Sequence, residues 1–196
     1  GRLYTLISSN DIEKLNIFLK ESLGLAKRYR MEDVSIHPPF IGNNIKTRTL
    51  SRNNFKQIIN YWLPKFTEKN ISLSIETHVS SDYFIFKGLK DFYDFISSFS
   101  DLGVLIDVSH NFYDGYSEKE IITLLENLKI TGFHLSDTIV DADFREGTHL
   151  PVGEGEINFK EILSSFKNNE KLYGALEIKG DSKDIKQSIK KIKDIL

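Results

Sequence analysis

The sequence predicts an α/β fold built on parallel strands, and three observations lead there. Short β-rich runs alternate with helical stripes along the chain. A helix between successive strands forces a crossover connection, which makes neighbouring strands parallel. The strands are nearly continuous apolar runs, as expected where both faces are covered. With 196 residues, 40% of them hydrophobic, the chain is long enough for one domain with a real core and too apolar to be disordered. Residues 1–196 read as a single domain.

Each element has its own warrant. A first helix is expected from about Asp11, capped by Asn10 with Glu13 reaching back, and its stripe is Ile12, Leu15, Leu19, Leu23 and Ala26. A short strand, Val34 to His37, is stopped by Pro38-Pro39. Ser51 opens a second helix carrying Phe55, Ile58, Ile59 and Trp62, which Pro64 should interrupt or kink. A strand from Ile71 to Glu76 and a helix from Leu89 to Phe99 follow, then a strand from Leu102 to Val108. Ser117 with Glu120 forms a capping box for a helix ending near Leu128. Ile130 to Leu135 is a strand, followed by a long polar loop to Gly155. Asn158 with Glu161 makes another box, Leu172 to Ile178 is the last strand, and Asp181 to Leu196 the last helix. The tail's lysines alternate with Ile185, Ile189 and Ile192, which reads as an amphipathic surface helix rather than a nucleic-acid arm.

Composition narrows the chemistry. Without cysteine there is no disulfide framework, no thiolate zinc site and no cysteine nucleophile. A formal charge of −2 gives no global pull toward nucleic acid or anionic membrane, although a local basic patch stays open. No apolar run approaches the ~18–20 residues of a membrane span. Gly1-Arg2-Leu3-Tyr4 is no signal peptide, so a cytoplasmic protein without membrane partners is expected, with homo-oligomerisation left open. The chain opens on Gly1 and its single Met is Met31, so a longer natural N-terminus is expected.

The unusual residues gather at the strand ends. In parallel α/β folds ligands bind beyond the carboxyl ends of the strands. His37 ends the first strand, Glu76 the second, Asp107 the third with His110 just after it, and His134 the fourth with His149 in the loop beyond. Glu177 lies on the fifth. A carboxylate in an apolar strand is costly unless paired or metal-bound, and five strands each delivering a His, Asp or Glu is hard to ascribe to chance. Imidazole and carboxylate are the ligand set of Zn²⁺, Mn²⁺ and related ions, in sites that keep a position open for water or substrate.

Each residue also has a plainer reading. Glu76 or Glu177 alone would be an ion-pair partner, Asp107 a cap for the following turn, and His134 a core histidine bonded to backbone. His37, His110 and His149 could be ordinary surface or loop histidines. His78, two residues beyond Glu76, shares its face and is a more distant candidate. Asp137 is read as a loop cap or as a partner that orients an imidazole. Arg145 is a candidate for holding a phosphate or carboxylate, or is simply solvent-exposed. Gly153-Glu154-Gly155 lacks the Lys and Ser/Thr of a phosphate loop and reads as a tight turn that positions His149.

Taken in series, these segments resemble a known family. They are Val34-Ser35-Ile36-His37-Pro38, Ser74-Ile75-Glu76, Gly103 to His110, Gly132-Phe133-His134-Leu135-Ser136-Asp137, His149 to Ile157 with its Gly-Glu-Gly, and Leu176-Glu177-Ile178. Together they resemble the xylose-isomerase-like TIM-barrel superfamily, which includes endonuclease IV and the sugar isomerases and epimerases. The resemblance spans about residues 34–180 and implies a (β/α)₈ TIM-barrel type of fold.

Two branches follow from it. The sugar isomerases and epimerases imply one divalent metal (Zn, Mn or Mg) on Glu76, Asp107, His134 and Glu177. Glu76 and Glu177 then act as base and acid beside a carbonyl, with His110, His149 and Arg145 toward a small carbohydrate substrate. Endonuclease IV implies a larger zinc cluster acting on abasic DNA. There His37 and Glu76 serve one zinc, Glu76 bridges to a second held by Asp107, His134 and Glu177, and His110 and His149 serve a third. His110-Asn111-Phe112 with Gly115-Tyr116 looks like this branch, but several departures oppose it. Gly147 stands where that nuclease has an Asp, Thr77 replaces an Asn, and an earlier strand His is not in this chain. The sugar-enzyme branch is therefore the first expectation. A relative that keeps the ligands but has lost turnover is a third class.

Such a barrel typically needs about 250 residues and at least about 200. The five strands would be its fourth to eighth, with Arg2 to Asn10 resembling the loop after the third; reading Leu3 to Ser8 as a strand raises the count to six. N-terminal truncation is the expectation.

Overall fold

A computed structural model describes residues 12–41, 48–166 and 172–196. The Asn10 cap and the Leu3 to Ser8 strand fall outside the described residues. The chain divides into two compact units, Gly1–Glu76 with Ser80–Gly103, and Thr77–Val79 with Val104–Leu196. Strands succeed one another in chain order, β1-β2 in the first unit and β3-β4-β5 in the second.

In the first unit α1 (Ile12–Tyr29) precedes β1 (Asp33–Ile36), α2 (Arg48–Thr67), β2 (Ser72–Glu76) and α3 (Leu89–Ile96). The α1 stripe buries Leu15, Leu19 and Ala26, with Ser22 rather than Leu23 on the inner line. Steps of four, three and four residues keep that line on one face. Ile12, expected on the stripe, is largely exposed. Trp62 Nε1 donates to Asn16 Oδ1 at 2.8 Å and ties α2 to α1.

Two points about α2 differ from expectation: its start, and the interruption at Pro64. It begins at Arg48, before Ser51, and it runs through Pro64. A proline removes one N–H but leaves its own carbonyl available. Here that carbonyl accepts from Glu68 N at 2.9 Å, so the ladder resumes within a turn. The apolar face is as expected: Phe55, Ile58, Ile59 and Trp62 are buried, joined by Leu63 and Phe66. Phe55 stacks on Phe95 with ring centroids 5.6 Å apart, and Phe86 lies 5.0 Å from Phe95. Arg52 lies over the Phe86 and Phe95 rings and pairs with Asp91.

β1 and β2 are parallel, with Asp33 opposite Ser72 and Ile36 opposite Ile75. Carried one step further, that register sets His37 opposite Glu76.

In the second unit β3 (Gly103–Asp107, belonging here from Val104) leads directly into α4 (Val108–Tyr113). Then come α5 (Glu118–Leu125), β4 (Lys129–Leu135), α6 (Phe144–Gly147), α7 (Phe159–Phe166), β5 (Tyr173–Leu176) and α8 (Ser182–Ile195). Neither α4 nor α6 was expected; both are too short for a hydrophobic period to register. The Ser117–Glu120 box on α5 is present in full. At α7 only half of the expected box forms. Asn158 Oδ1 accepts from Glu161 N, but Asn158 N donates to Glu118 Oε1 at 2.7 Å. α8 opens on an Asp181–Asp184 box and fully buries only Ser188, as suits a surface helix.

β4 and β5 are parallel, with Gly132 opposite Tyr173 and Leu135 opposite Leu176. β5 is shorter than expected, so Glu177 stands one residue past it. Its N–H still donates to the Leu135 carbonyl at 3.2 Å. Among the described residues no helix is long and apolar enough to cross a membrane.

Phe55 is 1% exposed, so Phe55→Ala should destabilise by about 3–5 kcal/mol. A urea titration should show a lower midpoint with an unchanged slope.

Candidate metal centre

The first unit contributes one pair. His37 and Glu76 follow or end neighbouring parallel strands, and His37 Nε2 lies 3.4 Å from Glu76 Oε2. Glu76 is 3% exposed.

The second unit brings four candidate residues, His110, His134, His149 and Glu177, together around Asp107, which has no exposed surface. Its two oxygens have different work. Oδ1 accepts from His110 N at 2.9 Å and caps α4, so the cap reading is correct for this atom. Oδ2 lies 3.3 Å from His110 Nδ1 and 3.8 Å from His134 Nδ1. Glu177 Oε2 is 2.9 Å from His134 Nδ1. Asp107, His134 and Glu177 each offer an atom within 4.8 Å of the others, and so do Asp107, His110 and His149. Burial works to raise the Asp107 carboxyl, but the adjacent His110 and His134 outweigh it and hold it below its usual 3.8.

His149 is held in an unusual conformation. Its φ is 57°, a left-handed backbone that costs energy for a residue with a side chain. Its N–H donates to Ser109 Oγ at 3.3 Å, its carbonyl accepts from Lys179 N at 2.7 Å, and its Nδ1 lies 3.0 Å from the Glu177 carbonyl. A carbonyl can only accept, so Nδ1 carries the proton and Nε2 the lone pair. That Nε2 lies 3.3 Å from His110 Nε2. Burial pushes the His149 imidazole below its usual 6.5, despite nearby Asp107.

The tautomers expose a mismatch that a cation would remove. If His110 Nε2–H donates to His149, then a neutral His110 turns its Nδ1 lone pair toward the Asp107 carboxylate. Asp107 Oδ2 and His110 Nδ1 are both buried and neither makes a hydrogen bond. Buried acceptors facing one another are costly unless a positive charge sits with them. Zinc–ligand distances of about 2.0–2.2 Å put paired ligand atoms about 4 Å apart or less, close to the spacing seen here. The donor set and its geometry fit a divalent ion.

Around these residues runs a buried polar frame that sequence reasoning largely missed. Thr77 Oγ1 accepts from Asp107 N at 2.8 Å and from Asn111 Nδ2 at 2.9 Å. Ser109 Oγ meets Thr138 Oγ1 at 2.5 Å. Asp137, read as a loop cap, accepts from Thr138 N, Gly153 N and Ile157 N. It thereby pins the Gly-Glu-Gly turn, where Gly153 has φ 84° and a Cβ on Gly155 would lie 2.4 Å from the Thr138 carbonyl. The available signal was a small hydroxyl residue one or two positions after three of the five strand-end groups: Thr77 after Glu76, Ser109 after Asp107 and Ser136 after His134. His78 lies with its ring 4.9 Å from that of His110. Arg145 is exposed on α6, and its backbone rather than its guanidinium is tied to the site.

The family follows from comparison. The chain belongs to the xylose isomerase-like TIM-barrel family, whose model matches residues 8–195. Its fold is therefore of the (β/α)₈ TIM-barrel type, with five strands among the described residues. A D-tagatose 3-epimerase-like protein is similar at 16% identity and a TM-score of 0.81, over 98% of this chain and 74% of that one. The IOLI protein, solved with a zinc atom, gives 16% and 0.73 over 94% and 71%. A xylose isomerase domain protein from Planctomyces limnophilus gives 13% and 0.69 over 96% and 68%. At these identities the likeness is one of fold. No curated protein sequence matches the chain.

The pH response of chelator-treated protein follows from the two shifts. Stability due to a neutral, buried His149 is full above pH 6.5 and falls as pH drops below it, because the unfolded chain takes the proton first. Stability due to the Asp107 carboxylate is lost only as pH falls below 3.8. Denaturant titrations across this range should show both declines, and His149→Gln should flatten the upper one alone.

Proposed function

We propose that this chain carries the active site of a divalent-metal-dependent sugar or sugar-phosphate isomerase or epimerase, moving a proton on carbon next to a carbonyl. The observation that carries the reading is the convergence of Asp107, His134 and Glu177 at the ends of neighbouring strands. Family membership and the names of the structural neighbours support an enzyme of this kind.

In this reading Glu76 completes the ligand set with Asp107, His134 and Glu177. A bound ion would polarise the carbonyl and stabilise the negative charge that develops on its oxygen. Asp107 is committed to holding, since its other oxygen caps α4. Glu177 sits just past a strand end with its side chain 20% exposed, so it can both hold and take a proton from substrate carbon. Glu76 returns a proton, on the opposite face for epimerisation or at the neighbouring carbon for isomerisation. His110 and His149, whose Nε2 atoms face each other at 3.3 Å, would contact substrate by exchanging that mutual bond for one to a substrate hydroxyl.

A second reading has its own observation. Asp107, His110 and His149 form a further group of suitable spacing, as an endonuclease IV-like zinc phosphodiesterase acting at abasic sites would require. The formal charge of −2 weighs against a DNA substrate.

Two measurements separate the readings. Elemental analysis of protein purified without chelator should find one divalent ion per chain; two or more zinc ions would favour the phosphodiesterase. A panel of sugars and sugar phosphates in deuterated water should show solvent deuterium entering carbon next to the carbonyl, with an abasic-site duplex left intact. Glu177→Gln should lower the exchange rate by at least about 100-fold. Undiminished exchange in that variant would overturn the assignment.

A further inference from the structure

The left-handed backbone of His149 has to be held by something, because a side-chain-bearing residue leaves that region when released. Its N–H and carbonyl are bonded to Ser109 and to the backbone of Lys179. The Lys179 side chain adds a separate contact. Its Nζ donates to the Arg145 carbonyl at 2.5 Å and to the Thr148 carbonyl at 3.0 Å. Arg145 lies in α6, whose four residues leave their carbonyls without partners inside the helix, and Thr148 immediately precedes His149. One ammonium thus closes the end of α6 and fixes the peptide entering His149, where a cation also suits the carbonyl end of a helix.

We propose that Lys179 is a positioning residue. Its side chain clasps the 145–148 segment so that His149 stays left-handed, keeps its Nδ1–H on the Glu177 carbonyl, and aims its Nε2 at His110. Lys179 touches neither substrate nor ion. It acts through His149, and the strand-end segment from Glu177 to Lys179 supplies both the carboxylate and the means of aligning a histidine opposite it. The clasp deepens the metal-centre reading but is defined without a metal.

The test uses protein labelled with ¹⁵N-histidine, stripped of metal, at a pH where imidazoles are neutral. The long-range ¹H–¹⁵N spectrum reports which ring nitrogen carries the proton. Wild type and Lys179→Arg should show His149 as a single Nδ1–H tautomer, since arginine can still bridge two carbonyls. Lys179→Met should show a mixture, with His110 responding as its Nε2 partner changes, His134 shifts nearly unchanged and a thermal midpoint close to wild type, because Lys179 is exposed. A His149 spectrum in Lys179→Met identical to wild type overturns the clasp, as does a mixture that Lys179→Arg fails to prevent. Titration with Co²⁺ alone, followed by its visible absorption, is the second arm. At saturating Co²⁺, Lys179→Met should weaken by about 10-fold the second, weaker uptake on Asp107, His110 and His149 and leave the first ion unaffected, and Lys179→Arg should restore the second. Tautomer mixing in Lys179→Met, with no Co²⁺ uptake by wild type, supports the clasp and overturns the metal reading instead.

Discussion

A carboxylate with no exposed surface is the constraint on which the second unit's site depends. Asp107 cannot remain charged in the interior without compensation, and its surroundings supply a hydrogen bond to one oxygen while leaving the other to a proton on a neighbouring imidazole or to a cation. One oxygen takes the His110 N–H in the first turn of α4, and the other faces two imidazoles. Short α4 therefore follows β3 without a loop, and that abrupt start puts His110 one turn beyond the acid. The acid, the helix cap and the first histidine form a single local unit in sequence. The rest of the site is built toward it.

What is built toward it comes from the ends of the next two strands. The parallel register of β4 and β5 places Leu135 opposite Leu176, so His134 and Glu177 emerge close together, 2.9 Å apart at their nearest atoms. Parallel strands deliver their carboxyl ends to the same edge because each crossover helix returns the chain to the opposite one. Catalytic groups far apart in sequence then meet with little further design. The same logic acts in the first unit, where the β1–β2 register sets His37 beside Glu76.

Precision beyond register comes from hydroxyls and one amide-binding carboxylate. Thr77, Ser109, Thr138 and Asp137 spend their hydrogen bonds on backbone groups at the roots of the loops. Buried networks of this kind are stable only when every member is satisfied, and that requirement makes them rigid. The His149 loop is fastened to this frame, which lets a strained φ persist. Strain held this way is characteristic of positions where a side chain must point in one direction.

The alternation of elements, the parallel strands, the acid or imidazole at each strand end and the Asp137 cap were legible in sequence because they follow from period, crossover and residue type. So was the family, through short segments weak singly and specific in series. The start of α2 and the short helices α4 and α6 were not, because bonds from Arg48 to distant carbonyls, or bonds to a single carboxylate, mark them rather than a hydrophobic pattern; the unbroken passage through Pro64 rests on a local backbone bond from Glu68. Asn158 shows the reason in small: its local signal predicts a full capping box, but Glu118, forty residues away, takes its N–H. Sequence determined which chemical groups this chain carries to the carboxyl ends of its strands. Only the tertiary structure decided which oxygen of Asp107 is spent on a cap, which nitrogen of His149 carries the proton and how Lys179 holds it, because those choices depend on hydrogen-bond partners that are neighbours in space and not in sequence.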